Sequence, residues 1–333
     1  MQIIKPRYYD RFQCIAGACP DSCCKDWTVA LDETSAAYYR SLPGPLGDRL
    51  REVLREEDGD TVMAIQNGRC PMWREDGLCR IQAEMGEEAL CQTCSTFPRL
   101  THDYGHFACL QLELSCPVAA QLILEEDDTP IVQDVPGGEE PDYDPCAMQS
   151  LLRTRAMALD LLADRSLSVK ETLAVLLLFG YAAQNELDGG DEAIIDPKGD
   201  LLQARSFAGC GNASALLGFY GGLEILTDRW RARLCSPEDC SWPEGMRALA
   251  RYFVDRYWLQ AVSDYDLVGR VKLILCSCLV IKLLGGDLCQ TAQLYSKEIE
   301  NDANNIDAIL DGAYESAALT DATLLGLLLN ESL

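Results

Sequence analysis

The chain has 333 residues, 48% of them hydrophobic, a length and composition that suit two domains with buried cores rather than a disordered chain. Its 28 Lys and Arg residues against 53 Asp and Glu residues give a formal net charge of −25 at pH 7. This charge repels phosphate backbones and anionic lipid headgroups, so we expect neither nucleic acid nor a membrane surface as a partner.

No export or membrane signal is evident in the sequence. The first seven residues, MQIIKPR, lack the apolar core of a signal peptide. The longest apolar run, residues 173–183, is shorter than the roughly 20 residues of a transmembrane helix, and we predict a buried helix there. We therefore expect a cytoplasmic protein, whose 17 cysteines are thiols or metal ligands rather than disulfides.

Short, irregular elements are predicted for residues 1–124. The patterns indicate a helix over 46–55, a turn at 66–68, a helix from 80 to about 93, and a strand at 107–114, where apolar and polar residues alternate. Because little regular core is expected in this region, we predict that metal ligation holds it together.

Residues 125–145 contain four prolines and no Lys or Arg, and this composition predicts an acidic linker. Residues 146–333 show helical periodicity, and no Gly-x-Gly-x-x-Gly motif supports a Rossmann-type nucleotide site. The predicted fold class is mainly α, with an irregular Cys-rich domain at 1–124 that includes short strands, the linker, and a helical bundle at 146–333. The strongest helical patterns lie at 151–162, 173–179, 216–226, 246–259 and 267–284.

Ten of the 17 cysteines lie within residues 1–116. Thiolates at such density favour zinc or an iron–sulfur cluster. Adjacent side chains in extended backbone point to opposite faces, so Cys23 and Cys24 are poorly placed to bind one tetrahedral ion together. A multinuclear cluster or two sites would accommodate both, which favours iron–sulfur, with a structural zinc site as the alternative. The spacing is Cys14-x4-Cys19-x3-Cys23-Cys24, then Cys70-x8-Cys79-x11-Cys91-x2-Cys94, then Cys109 and Cys116.

Motifs around these cysteines resemble the flagellin lysine-N-methylase family. They run in order through residues 8–124, with weaker matches at 155–165 and at Tyr295-Ser296-x-x-Ile299-Glu300. The cysteine layout is also similar to a broader group of zinc- or iron-chelating cysteine-cluster domains with varied roles. The motifs are Phe12-x-Cys14-x4-Cys19-x3-Cys23-Cys24-x2-Trp27, Cys70-Pro71, Leu78-Cys79-x-Ile81-Gln82, Cys94-x2-Phe97-Pro98-Arg99 and Ser115-Cys116-Pro117.

The resemblance implies methylation of flagellin lysines in the cytoplasm with S-adenosylmethionine as cosubstrate and an iron–sulfur cluster, expected to be 4Fe–4S. It leaves out Cys91 and Cys109, and it points to Arg99 and Arg155 as residues that bind substrate or cosubstrate. A structural ion pair is the alternative for Arg99, and a surface position is the alternative for Arg155. The implied metal ligands are Cys14, Cys19, Cys23, Cys24, Cys70, Cys79, Cys94 and Cys116.

Four positions depart from the pattern that the resemblance implies. Val118 and Gln121 stand where Glu and Arg are expected, and Thr172 and Asn301 stand where Arg and His are expected. If the expected groups bind substrate or cosubstrate, this chain has an altered specificity or has lost the activity.

The implied reaction sets a requirement on the site. A lysine amine is protonated at neutral pH, with an ordinary pKa of about 10.4, so the site must remove its proton before the nitrogen can attack a sulfonium methyl group. This polar displacement needs no radical, and the radical pattern Cys-x3-Cys-x2-Cys is absent because Asp26 occupies its third position. With two histidines in the chain, a Tyr or a carboxylate is the expected base, which the sequence does not identify.

Two further interpretations stay open at this point. His102 and His106 have metal-ligand spacing only on a helix, whereas Asp103-Tyr104-Gly105 between them predicts a turn. At the level of function, the alternatives to an enzyme are a non-catalytic metal-binding module that acts structurally or by interaction, and an electron-transfer protein.

Overall fold

The computed structural model describes residues 1–57, 59–125, 130–238 and 241–330. Within these residues the fold is mainly α, as predicted, with fifteen α-helices and two small β-sheets. Seven strands form the sheets: β1 (Gln2–Pro6), β2 (Val29–Ala30), β3 (Leu54–Glu57), β4 (Asp60–Met63), β5 (Arg99–Asp103), β6 (Phe107–Leu112) and β7 (Pro130–Asp134).

The larger sheet has the strand order β5-β6-β1-β7, in which β1 runs parallel to β6 and antiparallel to β7. The smaller sheet is antiparallel in the order β2-β4-β3. The predicted strand at 107–114 is confirmed as β6, which ends two residues earlier at Leu112.

Strand β7 lies within the segment 125–145, for which the composition predicts a linker. It pairs with β1 over its whole length, from Gln2 opposite Asp134 to Pro6 opposite Pro130. Its five side chains are all exposed, so backbone hydrogen bonds to β1 hold it at the edge of the sheet. For the same reason, its sequence does not show the hydrophobic pattern of a strand that packs on a core. Residues 126–129 of the predicted linker lie outside the described residues, and the division into domains stays a prediction.

Five helices belong to the first 124 residues. The predicted helix at 46–55 is confirmed as α2, which ends at Val53. The single helix predicted from 80 to about 93 is wrong: α3 ends at Met85, before Gly86, whose φ of 94° suits glycine, and a short 3-10 turn separates it from α4. The five are α1 (Glu33–Ser41), α2 (Gly44–Val53), α3 (Arg80–Met85), α4 (Gln92–Thr96) and α5 (Pro117–Ile123).

Ten helices follow strand β7, and one of them, α12, has every residue buried among its neighbours. The apolar run 173–183 lies on α7 and is largely buried, as predicted. In the described part of the chain, no helix combines the length and apolar character needed to cross a membrane. The ten are α6 (Pro145–Ala163), α7 (Val169–Leu187), α8 (Pro197–Phe207), α9 (Ala213–Gly221), α10 (Asp228–Cys235), α11 (Met246–Tyr257), α12 (Leu267–Leu284), α13 (Leu288–Tyr295), α14 (Ala303–Glu315) and α15 (Asp321–Leu329).

Two apolar cores organise this arrangement. The smaller one lies between residues 29 and 91 and includes fully buried Tyr39, Leu50 and Met72. The larger core joins β6 and α5 to the helices, with Leu114 and Trp258 among its members. The strand that follows the Cys-rich segments therefore packs against the helices, and this contact brings residues of both halves to one site.

Candidate functional site

A type I′ turn places Cys70 beside Cys24. Gln66 and Arg69 exchange backbone hydrogen bonds of 2.8 and 3.1 Å, and Asn67 and Gly68 between them have positive φ angles of 53° and 70°. The turn predicted at 66–68 is thus confirmed, with the residue types that this geometry favours. Immediately after it, the Cys70 amide donates a 2.8 Å hydrogen bond to the Cys24 carbonyl, which joins the two cysteine segments.

The remaining cysteines of this region lie at the starts of two short helices. Cys79 precedes α3 and Cys91 precedes α4 as their N-terminal caps, and Cys94 lies within the first turn of α4. Helix α4 is fixed against the loop before α1, because its first amide, that of Gln92, donates a 3.0 Å hydrogen bond to the Asp32 carboxylate.

These segments enclose a cavity of about 310 Å³, which we call the thiol cavity. Its size falls in the range of small-molecule sites. Apolar side chains of Trp27, Met63, Met72 and Phe97 line much of the wall, and Glu113 and Asn301 add polar groups. Six cysteines line it: Cys23, Cys24, Cys70, Cys79, Cys91 and Cys94.

The thiols form two neighbouring groups. The Cys24 sulfur interacts by hydrogen bonding with the thiols of Cys23 and Cys70, and Cys79 and Cys94 are among its electrostatic neighbours. Outside the cavity, Cys116 has Cys14 and Cys19 as electrostatic neighbours. Cys23 is close to both groups, because its neighbours include Cys24 on one side and Cys14 and Cys116 on the other.

The thiol pairs perturb one another's protonation. The pKa of Cys24 is lowered to about 3, chiefly by the hydrogen bond from Cys23 and then by that from Cys70, whereas the pKa values of both donors are raised. In the same way, the hydrogen bond from Cys94 lowers the pKa of Cys91 to about 7. Of the six cavity thiols, that of Cys24 therefore favours the thiolate form at neutral pH, which is the form that ligates metals.

Outside the cavity, the predicted ligands have local partners. Cys14 is exposed and its sulfur accepts a hydrogen bond from the Ala16 amide at 3.4 Å, while the Cys19 thiol donates to the Asp21 carbonyl at 3.2 Å. Cys116 is buried at the start of α5, where burial raises its pKa to about 11. Within the described ranges, no three His, Cys, Asp or Glu side chains form a ready-made site for one metal ion.

The two cysteines that the resemblance leaves out lie in different places. Cys91 is buried in the wall of the thiol cavity, whereas Cys109 lies on β6 with its sulfur 3.8 Å from Nη1 of Arg155. Arg155 lines a separate cavity of about 100 Å³ together with Arg251 and Asp255. The structure therefore does not bring Arg155 to the thiol cavity, and its binding role stays a prediction.

Arg99 lies closer to the thiol cavity, in an adjoining depression of about 470 Å³ that we call the outer groove. Its guanidinium carbon lies 5.0 Å from the ring centroid of Phe12 and 5.9 Å from that of Tyr9, so aromatic faces hold it in place. No contact of Arg99 tests its binding role, which also stays a prediction. The residues that define the outer groove are Asp32, Asp60, Thr93, Phe97, Arg99 and Glu113.

The helical half anchors the loop that carries the first cysteines. Lys297, buried in a π-helical turn at Ser296–Glu300, places its ammonium 3.2 Å from the Asp21 carboxylate and 2.9 Å from that of Asp26. The Gln293 amide donates to Asp21 and to the Ser115 carbonyl, both at 2.9 Å. The weaker match at 295–300 thus lies directly against the Cys-rich half.

A buried charge network follows in the same turn. The Glu300 carboxylate lies 3.1 Å from Nε of Arg256 and accepts hydrogen bonds from the hydroxyls of Tyr252 and Tyr257, the shortest at 2.8 Å. The next residue, Asn301, lines the thiol cavity. This network therefore holds the helical side of the cavity wall in place.

The four departures from the family pattern occupy different environments. Asn301 lies in the cavity wall, whereas Thr172 is buried elsewhere and accepts a hydrogen bond from Arg247 Nη1 at 3.2 Å. Val118 and Gln121 lie on α5, and Gln121 is exposed. Only for Asn301 does the structure connect a departure with the thiol cavity.

The two histidines do not lie on a helix. His102 belongs to β5 and His106 to the turn before β6, so the predicted turn between them is confirmed. Burial lowers the pKa of His102 to about 4, with the Arg256 charge adding to the effect, and its Nε2 is buried without a hydrogen-bond partner. His106 is exposed, with Nε2 3.8 Å from Glu140.

Sequence reasoning missed Glu113, which lines both the thiol cavity and the outer groove. It directly follows β6, its amide donates a 2.8 Å hydrogen bond to the Pro98 carbonyl, and its carboxylate accepts one from Ser115 Oγ at 3.1 Å. Burial raises its pKa, Arg256 opposes this rise and Glu300 adds to it. The signal in the sequence is a carboxylate at the end of the alternating strand segment 107–114, three residues before Cys116.

Comparison with known proteins gives relatives named as lysine-N-methylases and as a flagellar biosynthetic protein. A lysine-N-methylase of Salmonella typhimurium (strain LT2) is 33% identical over 133 residues, which are 38% of this chain and 33% of that protein. A lysine-N-methylase of Salmonella choleraesuis (strain SC-B67) is 32% identical with the same coverage. The match thus spans a third of the length of these two relatives.

The third relative is matched over most of its length. The flagellar biosynthetic protein FliU of Salmonella muenchen is 32% identical over 133 residues, which are 38% of this chain and 79% of that protein. No family model and no solved structure matches the chain. On the strength of these relatives, the chain belongs to the flagellin lysine-N-methylase family.

Proposed function

We propose that the protein transfers methyl groups from S-adenosylmethionine to lysine side chains of flagellin in the cytoplasm, with an iron–sulfur cluster, of 4Fe–4S type, as its metal group. The observation that carries the proposal is the thiol cavity, where six cysteines and the half-buried carboxylate of Glu113 line one space. Relatives named as lysine-N-methylases and as a flagellar biosynthetic protein support the reaction and the class of substrate.

The donor chemistry of the cavity fits an iron–sulfur cluster. Such clusters are held by cysteine thiolates. Cys24, whose pKa is lowered, has the thiols of Cys70, Cys79 and Cys94 as neighbours, so four sulfur atoms are close together. The second group, around Cys116, offers further thiols next to it. When bound, the cluster would hold the loops together and could offer an iron atom to the polar groups of the cosubstrate.

The rest of the wall suits a sulfonium compound and an amine. The aromatic faces of Trp27 and Phe97 attract cations, and the apolar side chains beside them exclude water from a reacting pair. Exclusion of water favours the neutral amine of the substrate lysine, because burial disfavours the ammonium form. The chain's net charge of −25 is consistent with a protein substrate rather than a nucleic acid.

The proposal is tested by incubating anaerobically purified protein with flagellin of its source organism and methyl-labelled S-adenosylmethionine. We expect label on flagellin lysines, together with iron and sulfide in the protein. The matched variants are Cys24→Ser, in the cavity, and Cys109→Ser, outside it. Cys24→Ser should lose iron and activity while Cys109→Ser keeps both. A protein with an intact cluster and no labelled lysine would contradict the proposal.

A non-catalytic metal-binding module is the second candidate, and the observation that favours it is Asn301. The resemblance implies His at this position, and the structure places it in the cavity wall. In this second case the Asn301→His variant should remain without methyltransferase activity, whereas Cys24→Ser should still lower the free energy of unfolding. If the wild-type chain labels flagellin, this candidate is eliminated.

A further inference from the structure

The backbone segments that carry Cys24 and Cys70 run side by side and present two different faces. The Cys70 amide donates a 2.8 Å hydrogen bond to the Cys24 carbonyl, and Lys25 pairs with Arg69 as an isolated antiparallel bridge. Neighbouring side chains of extended backbone point to opposite sides. The two cysteines accordingly line the thiol cavity. Lys25 and Arg69 instead line a surface depression of about 440 Å³, which we call the basic depression.

The basic depression lies at the junction of the two halves of the chain. Two of the four cations that line it come from the Cys-rich half and two from the helical half. The two carboxylates that line it both lie against buried Lys297, at 3.2 Å for Asp21 and 2.9 Å for Asp26. The charge of these carboxylates is therefore directed to Lys297. The three further cations of the depression are Lys25, Arg69 and Arg229 of α10.

These three cations are positioned without a carboxylate partner. Among the residues that the structure describes, none of the three has an acidic oxygen at ion-pair distance. The ring of Trp73 holds two of them in place, because its centroid lies 5.4 Å from Nζ of Lys25 and 4.4 Å from the guanidinium carbon of Arg69. Arg229 is exposed on α10. Three positive charges around one space attract an anion from outside these residues.

We propose that the basic depression binds an acidic segment of the protein substrate, whose carboxylates pair with Arg69 and Arg229. This inference rests on the proposed lysine methylation and adds a determinant of substrate choice to it. A guanidinium suits this task, because it can bind a carboxylate through two parallel hydrogen bonds. The net charge of −25 disfavours the phosphate array of a nucleic acid or a lipid surface, whereas at physiological salt the charges within about 8 Å decide how a single carboxylate binds.

In this arrangement the substrate lysine and the acidic segment bind on opposite sides of the same backbone segments. One backbone layer with its side chains is about 10 Å thick, the spacing of packed sheets, and an extended chain advances about 3.3 Å per residue. A substrate chain therefore needs about three residues to pass from one side to the other. We expect acidic residues three or more positions from the methylated lysine to contact the basic depression, whereas acidic residues adjacent to the lysine should not reach it.

The test compares Arg229→Gln and Arg69→Gln with the matched control Arg231→Gln, which removes an exposed arginine two positions along α10, outside the lining of the depression. We expect each of the first two variants to raise KM for flagellin about 10-fold with kcat unchanged, because a contact equally strong in the ground state and the transition state is lost. Arg231→Gln should match the wild type. Arg229 lies far from the cysteines in the sequence, so its variant keeps the test decisive if Arg69→Gln, beside Cys70, loses iron.

A binding measurement gives a readout besides activity. Wild-type protein should bind a peptide from a labelled flagellin site about 10-fold more tightly than the same peptide with Gln in place of each Asp and Glu three or more positions from the lysine. Arg229→Gln should lose most of this preference while its iron content stays unchanged. An active wild type without the preference, or an equally large loss of it in Arg231→Gln, would overturn the inference alone. An iron-loaded wild type that labels no lysine would instead overturn the proposed function itself.

Discussion

The buried ion pair between Arg256 and Glu300 offers a direct test of how the helical half supports the site. The side chain of Glu300 is 1% exposed and that of Arg256 is 10% exposed, with Nε and the carboxylate 3.1 Å apart. Removing one partner of such a pair strands the other charge away from water, which typically costs about 3–5 kcal/mol. We therefore expect Arg256→Met to be strongly destabilising.

For Arg256→Met, the expected loss in free energy of unfolding is about 3 kcal/mol, at the lower end of that range, because two hydroxyls still donate to the unpaired Glu300 carboxylate. Tyr257 donates at 2.8 Å and Tyr252 at 3.2 Å. Arg256→Met combined with Glu300→Gln should lose less than the sum of the two single variants.

Urea unfolding followed by both fluorescence and circular dichroism measures these free energies, and coincident transitions are required for a two-state treatment. The matched control is Arg80→Met, which removes the exposed pair with Glu84, at 3.0 Å and about two-fifths exposed on each side. That variant should stay within about 0.5 kcal/mol of the wild type. A free energy of unfolding for Arg256→Met equally close to the wild-type value would refute the reasoning.

Three further predictions concern single residues. The pKa of His102 is lowered from 6.5 to about 4 in the folded state, so between these pH values the unfolded state binds a proton that the folded state does not. The free energy of unfolding should therefore fall by about 3 kcal/mol as the pH falls from 6.5 to 4. In urea unfolding, His102→Gln should show a shallower dependence of this free energy on pH. Gly86→Ala should lower the free energy of unfolding by about 1–3 kcal/mol because φ is 94° and ψ 170°, while Gly218→Ala, with open space around the added carbon, should not lower it. Lys297→Met should speed proteolysis of the loop at 14–26, because two carboxylates lose their buried partner; unchanged cleavage there would contradict the anchoring role.

The sequence predicts the broad architecture because the strong patterns are local. Helices such as α7 and α12 consist of long apolar stretches with few breaks, and the turn at Asn67-Gly68 uses the residue types that its positive φ angles require. The break at Gly86 was missed, because a single glycine within a helical pattern is compatible with both a continuous and an interrupted helix.

Strand β7, within the predicted linker, could not be predicted for a different reason. Its five residues bury no side chain, so no pattern of hydrophobic residues marks it, and only the backbone partners of β1 hold it in the sheet. An edge strand of this kind is chemically indistinguishable from a linker when a single sequence is considered. Pairing between residues more than 120 positions apart is likewise absent from any local signal.

The candidate site was predictable only in part for the same reason. Cysteine density identifies the region, and the adjacent pair Cys23 and Cys24 favours a multinuclear cluster or two sites over one tetrahedral ion, which stays a prediction. No spacing rule, however, places Glu113 or Asn301 in the cavity wall, because these positions depend on how β6 and the π-helical turn pack against the loops. Composition also could not show that Arg99 lies beside the thiol cavity whereas Arg155 lines a separate cavity.

The packing of the two halves has a consequence for how the site works. Asn301 of the cavity wall and Lys297 of the anchor come from the helical half, whereas the thiols come from the first 116 residues. A cluster that held the cysteine loops alone would leave the wall beside Glu113 incomplete, and the helices alone would present no thiol to the cavity. Under the proposed function, binding of the cluster and docking of the helices should therefore stabilise each other, since each would order a surface that the other contacts.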